Sequence, residues 1–326
     1  MPGRSAEYLN IIPRGETRVI QPELIRAELG DLDMAVGPSP AACEYLGFYG
    51  LDLSSRADVH IRQGKRQVGG YEVVLQLWTA DEPRATLLVL HGYYDHMGLY
   101  RNVVAWGLAR GFAVLGCDLP GHGLSSGAPA SINEFAEYQV VLQALMAEAE
   151  RLGLPQPWHL LGQSTGGAIL LDHLLRQPAA ARLGQSILLA PLVRPRAWAR
   201  SRLSYQLLRH FVDGIPRQFS DNSGDRAFLE FQRRDPLQAA TLPTAWVGAL
   251  DRWIPQVEAA PACHYRPIII QGEQDMTVDW RYNLPVLQAK FAQPEILRLA
   301  DARHHLVNER EDIRREYFAF LDERLA

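Results

Sequence analysis

Gly162-Gln163-Ser164-Thr165-Gly166-Gly167 stands between an apolar run at 158–161 and a segment with helical apolar spacing. A Gly-x-Ser-x-Gly turn between a strand and a helix is a nucleophile elbow. The turn is sharp and strains its central residue, so the neighbours two positions away must be small. Ser164 Oγ would then stand above a sheet, at the start of a helix whose dipole favours developing negative charge. A serine hydroxyl is a poor nucleophile without a base. A histidine late in the chain, with an acid between the two, would supply one.

The candidate acid is Asp275, in Gly272-Glu273-Gln274-Asp275 just after the apolar run 268–271. Its role would be to accept the histidine Nδ1–H and stabilise the imidazolium. Glu273 and Asp279 are rivals, although Glu273 comes early in the turn and Asp279 has the place of a helix N-cap. Asp251 falls inside a helical run. The base should follow the run 296–299, where Asp301-Ala302-Arg303-His304-His305 offers two adjacent histidines. We take His304 as the base, with His305 as the alternative. Activity should then decline at acidic pH as His304 takes up a proton. His91-Gly92-Tyr93-Tyr94 follows another apolar run, and the backbone N–H groups of Tyr93 and Thr165 are the expected oxyanion donors. Losing such a donor costs about 3 kcal/mol of transition-state stabilisation. His91 reads as a structural hydrogen-bonder. His122, which precedes the serine in the turn 118–125, is set aside as a base. The sequence holds no metal-ligand cluster, Walker loop or dinucleotide fingerprint, so neither metal nor cofactor is expected.

These residues need strands whose carboxyl ends share one rim. Residues 71–78, 86–90, 112–117, 158–161, 186–190, 267–271 and 296–299 read as strands. Helices are predicted at 98–110, 132–152 (Ser131 as N-cap, Glu134 in the capping-box position), 165–176, 280–291 and 310–325. Strands alternating with helices give an α/β fold with a mostly parallel, doubly wound sheet. Strands that are apolar without alternation are covered on both faces. Ligands of such sheets bind at the carboxyl ends of the strands, where the motifs fall. The pattern breaks at 192–245, read as a helical cap or lid. Trp198, Leu203, Leu207, Leu208 and Phe211 lie mostly on one helical face there, interspersed with Arg194, Arg196, Arg200, Arg202 and Arg209. Tyr94, Trp198, Leu207 and Phe211 are the candidate substrate-binding side chains. Residues 1–55 read as an irregular arm packed on the main body, a dimer contact or a flap being the alternatives. The core is then 56–191 and 246–326.

The chain has 326 residues, 47% of them hydrophobic, and a net charge of −4. That length buries a sizeable core without staples, and the charge disfavours nucleic acid as a partner. Three scattered cysteines suggest a reducing compartment. With no secretory h-region and no long apolar run, a cytoplasmic location is expected.

Taken together, His91-Gly92-x-x-Asp95-His96, Asp118-Leu-Pro-Gly-His-Gly-x-Ser, Gly162-x-Ser-x-Gly-Gly, Gly272-x-x-Asp275 and Ala302-Arg-His304 occur in an order that resembles the monoacylglycerol lipase and lysophospholipase group of α/β-hydrolases, also called the serine aminopeptidase S33 group. The resemblance spans about residues 70–326. It implies the α/β-hydrolase fold, a helical cap after the sixth strand, and a triad of Ser164, Asp275 and His304. It departs from the group at Gln163 and Thr165, where His and Met are common, and at His305, where Glu is frequent. The expected activity is hydrolysis of carboxylic esters of lipids, monoacylglycerol or lysophospholipid, through an acyl-enzyme on Ser164. The alternatives are a small-ester carboxylesterase, a peptidase, or a non-catalytic receptor or scaffold. The basic, apolar cap would allow transient contact with a membrane surface.

Overall fold

The computed structural model describes residues 20–53, 58–177 and 180–325. Its main sheet takes in β1 (Val59–Val68), β2 (Tyr71–Ala80), β3 (Ala85–Leu90), β4 (Phe112–Cys117), β5 (Trp158–Gln163) and β6 (Leu183–Leu189). A small separate two-stranded antiparallel sheet pairs β7 (Gly214–Pro216) with β8 (Thr241–Pro243), and β9 (Ile268–Gly272) and β10 (Glu295–Leu299) complete the main sheet. The spatial order is β1-β2-β4-β3-β5-β6-β9-β10. β1 and β2 run antiparallel, as do β2 and β4, and the remaining pairs are parallel.

The continuous apolar runs serve both faces. Leu88 and Leu90 of β3 join one core cluster and Leu87 and Val89 the other. In β4, Ala113, Leu115 and Cys117 alternate in the same way with Phe112 and Val114. In chain order the helices are α1 (Pro22–Glu28), α2 (Pro40–Tyr49), α3 (Arg101–Ala109), α4 (Ala136–Arg151), α5 (Thr165–Arg176), α6 (Trp198–Leu208), α7 (Arg226–Arg234), α8 (Thr244–Ala259), α9 (Trp280–Lys290) and α10 (Glu311–Asp322). α4, α5, α8 and α9 supply the first cluster; α2, α3 and α10 supply the second. Among the described residues no helix is long and apolar enough to cross a membrane.

Three elements differ from the sequence expectations. β1 carries Arg62, Gln63, Lys65 and Arg66 and is apolar only in part, so no strand is legible in its composition. It forms because it closes a hairpin on β2, with Val68 opposite Tyr71. α4 begins at Ala136 rather than 132. Glu137 Oε1 accepts the N–H groups of Asn133 (2.8 Å) and Glu134 (2.7 Å), while Glu134 turns to Arg252. The helix is therefore started by an acid one turn later than the capping-box reading.

The arm is the third. Its described part, 20–53, contains two helices, the second capped by Ser39, whose hydroxyl accepts the Ala42 N–H. Ile25, Tyr45, Leu46 and Tyr49 are buried. Lys65 N–H donates to Gly30 O at 2.8 Å, which gives the outer edge of β1 a partner. Residues 1–19, 54 and 55 of the expected arm lie outside the described residues.

Candidate active site

β5 ends at Gln163, and the chain turns through Ser164 with φ 52° and ψ −107° into α5. This left-handed conformation is costly for a serine and is held from both sides. Ser164 N–H donates to Leu189 O (2.8 Å), and Leu192 N–H donates to Ser164 O (3.1 Å). A Cβ on Gly166 would sit 2.1 Å from Leu90 O, which accounts for the second small position of the elbow.

The structure brings three of the expected side chains together. His304 Nε2 lies 2.9 Å from Ser164 Oγ, and His304 Nδ1 lies 2.7 Å from Asp275 Oδ2. Asp275 follows β9. Its Oδ1 accepts the N–H groups of Thr277 (2.8 Å) and Val278 (3.0 Å), and its Oδ2 also accepts Gln271 Nε2–H (3.0 Å). Burial alone would push this carboxyl up, but His304 and these donors outweigh it and hold the group below its ordinary range. The loops bearing acid and histidine touch closely: a Cβ on Gly272 would lie 2.3 Å from Arg303 O. Gln163 Nε2–H donates to His304 O at 2.9 Å and fixes the histidine loop from the elbow side.

The competing residues are engaged elsewhere. His305 Nε2 lies 3.0 Å from Asp95 Oδ1, and Asp95 Oδ2 also accepts Tyr100 O–H. Glu273 pairs with Arg298 at 2.7 Å, Asp251 pairs with Arg202 at 2.6 Å, and Asp279 caps α9. His91 Nε2 accepts Leu119 N–H (2.8 Å) and its Nδ1–H donates to Gly92 O (2.8 Å), so the ring staples two loops. Gly92 N–H is taken by Tyr100 Oη at 2.9 Å. The N–H groups of Tyr93 and Thr165 have no acceptor among the described residues. The Thr165 group heads α5, where an unpaired donor faces a developing anion favourably.

Ser164, His304, Tyr93 and Thr165 open on a cavity of about 640 Å³. Tyr94 lines it, as expected from sequence. Trp198, Leu207 and Phe211 are not among its lining residues; Leu208, Val212 and Ile215 are. Trp198 packs against the core instead. α6 buries none of its residues, and Phe211 is 82% exposed, so the apolar stripe of this segment points largely to solvent. Arg217 also lines the cavity and is invisible to motif reading, because nothing in its local spacing marks it.

Two enclosed histidines near the site make a stability prediction. Burial pushes His91 down to about 3 and His122 down to about 4. An unfolded chain protonates both near the ordinary imidazole value of about 6.5. Below that pH the unfolded state binds more protons, so folding stability falls with pH. Each ring contributes about 1.4 kcal/mol per pH unit. Between pH 6 and pH 5 the two should together remove roughly 2–3 kcal/mol. His96 is raised above its ordinary value; burial lowers it but Asp235 more than compensates. Its stabilisation is lost only as pH rises, so it adds little slope in this window. Urea unfolding at the two pH values measures the difference, and equal stabilities would mean that these rings are not held neutral.

The family model described as serine aminopeptidase, S33 matches residues 81–311. Over 222 residues the chain is 27% identical to a monoacylglycerol lipase of Mycolicibacterium smegmatis, covering 65% of this chain and 78% of that one. It is 25% identical over 238 residues to the human monoglyceride lipase, covering 69% and 77%. A soluble variant of the Saccharomyces cerevisiae monoglyceride lipase, solved with a substrate analog, superposes with a TM-score of 0.68 at 17% identity, over 80% of this chain and 93% of that one.

Proposed function

The chain belongs to the serine aminopeptidase S33 family of hydrolases, and on that premise we propose that it cleaves lipid acyl esters through an acyl-enzyme on Ser164. The carrying observation is the line Ser164–His304–Asp275, at 2.9 and 2.7 Å, opening on the cavity. In this reading His304 takes the Ser164 proton as the oxygen attacks the ester carbonyl. The Tyr93 and Thr165 N–H groups hold the oxyanion, and Asp275 stabilises the imidazolium. The alcohol leaves with the proton from His304, and water deacylates the enzyme by the same route.

Monoacylglycerol and lysophospholipid are the substrates that fit best. The cavity volume is within the usual range for small ligands, about 300–1,000 Å³. Leu192, Leu208, Val212, Leu242, Val247 and Val278 give it walls suited to an acyl chain. Residues 192–245 act in this reading as a lid. Their exposed Leu203, Leu207, Phe211 and Phe219 form an apolar surface suited to transient contact with a lipid assembly. The relatives named above as monoacylglycerol and monoglyceride lipases support the lipid assignment over a small-ester carboxylesterase or a peptidase.

A fluorophosphonate probe tests the chemistry. It should label wild-type protein at Ser164, and Ser164→Ala protein should stay unlabelled. A panel of acyl chain lengths, offered as monomers and in vesicles, should show faster turnover of long acyl esters in vesicles. Folded wild-type protein that the probe does not label would end the hydrolase reading.

A further inference from the structure

The cap bears several arginines, and the structure separates them. Arg194 is paired with Glu258 at 2.6 Å, and Arg202 with Asp251 at 2.6 Å. Arg200 and Arg217 instead line the cavity and have no carboxylate at ion-pair distance among the described residues. Arg217 is held in place by neutral partners. Its guanidinium lies over the Tyr94 ring at 3.9 Å and the Phe219 ring at 4.3 Å. Nη1–H donates to Gln238 Oε1 (2.7 Å) and to Ala239 O (3.3 Å). No hydrogen bond from Nε or Nη2 to a described residue accompanies these. Asp95 is the one carboxylate among the cavity's lining residues, and His305 and Tyr100 occupy it.

A guanidinium clamped between aromatic rings, half-buried and short of an anion, is suited to planar recognition of carboxylate or phosphate. Tyr94, on which it rests, immediately follows Tyr93 of the oxyanion loop. We propose that the cavity selects esters bearing a negative charge, phosphate or carboxylate, and that Arg217, assisted by Arg200, is the residue that determines this specificity. The proposal rests on the lipid-ester reading for the identity of the ligand. It deepens that reading from monoacyl lipids in general to anionic ones.

The test reads binding without turnover, in full-length Ser164→Ala protein by titration calorimetry. The probes are decyl phosphate, decanoate and the uncharged decyl glyceryl ether, each below its micellar concentration. A charged hydrogen-bonded contact predicts that one or both anions bind about 10- to 100-fold more tightly than the ether. The phosphate and carboxylate arms show which head group is preferred. Adding Arg217→Gln should reduce that preference to about twofold or less. If that variant misfolds, Arg217→Lys keeps the charge but loses the planar fork, and the preference should shrink without vanishing. Equal binding of charged and uncharged probes, or a preference unchanged by substitution at 217, overturns the proposal. Labelled Ser164 without charge preference would end this proposal alone; unlabelled Ser164 with charge preference would end only the hydrolase reading.

Discussion

Replacing Ser164 with alanine is expected to lower kcat for ester hydrolysis by about six orders of magnitude. The hydroxyl, the imidazole and the carboxylate form one chain of contacts, so their contributions do not add. His304→Ala should cost about as much as Ser164→Ala, and the double variant should be no slower than either. Asp275→Asn should be milder, at about 10⁴-fold, because the amide favours the wrong imidazole tautomer but leaves the nucleophile in place. A residual acceleration of about 10³–10⁴ over water should survive in the Ser164 and His304 variants, from substrate binding and the two backbone N–H groups. His305→Ala provides the contrast. Its ring is committed to Asp95, so its loss should not reproduce the His304 effect. Steady-state hydrolysis of one acyl ester by wild type and the five variants measures all of this. Losses that multiply between Ser164 and His304 would mean that the two do not act in one step.

The grouping of Ser164 and Asp275 with a histidine at 304 or 305 was legible in sequence because each sits where local chemistry is severe. The elbow needs small residues on either side of Ser164, and Gly166 meets Leu90 O at a distance no side chain tolerates. Asp275 and His304 follow apolar strands, and strand ends on one rim are the natural place for a site. The choice between His304 and His305 was not legible. Adjacent residues share every sequence property that matters, and only the three-dimensional path of the loop turns one ring to Ser164 and the other to Asp95. The cavity wall failed for a related reason. A helical stripe of Trp198, Leu207 and Phe211 implies a buried face, but α6 has none. Arg217 and Gln271 act through residues far away or across a turn, and no periodicity announces them. β1 is stabilised by its pairing with β2 rather than by its own composition.

The arm is the clearest case of long-range chemistry hidden from local reading, and it carries the second large effect. Tyr49, at the end of α2, donates its O–H to Asp235 Oδ1 at 2.7 Å. Asp235 Oδ2 lies 2.8 Å from His96 Nε2, and neither side chain of that pair has any exposure. Asp235 stands just after α7 in the cap stretch, and His96 stands in the loop that continues from Tyr93. One carboxylate thus joins the arm, the 192–245 stretch and the loop that runs on from Tyr93. Burial pushes Asp235 up, but His96, Tyr49 and the Leu237 N–H outweigh it and hold it below the ordinary carboxylate range. Asp235→Ala strands the His96 Nε2–H and the Tyr49 hydroxyl in a dry interior. Breaking a buried pair from one side costs about 3–5 kcal/mol, a large part of a typical domain's stability. Asp235→Asn keeps the side-chain volume and an acceptor for Tyr49 but removes the charge and sets an amide NH₂ where Oδ2 faces His96, so it should cost less than alanine without being neutral. The sign of the pH dependence separates charge from packing. A raised histidine stabilises the fold below its unfolded value and loses that contribution as pH rises through its folded value. Wild type should therefore lose this increment on going alkaline, and Asp235→Asn should not. Denaturant unfolding of the three proteins at pH 6 and pH 8 resolves the difference. If alanine at 235 costs under about 1 kcal/mol, the pair is not the tie that holds the arm against the site.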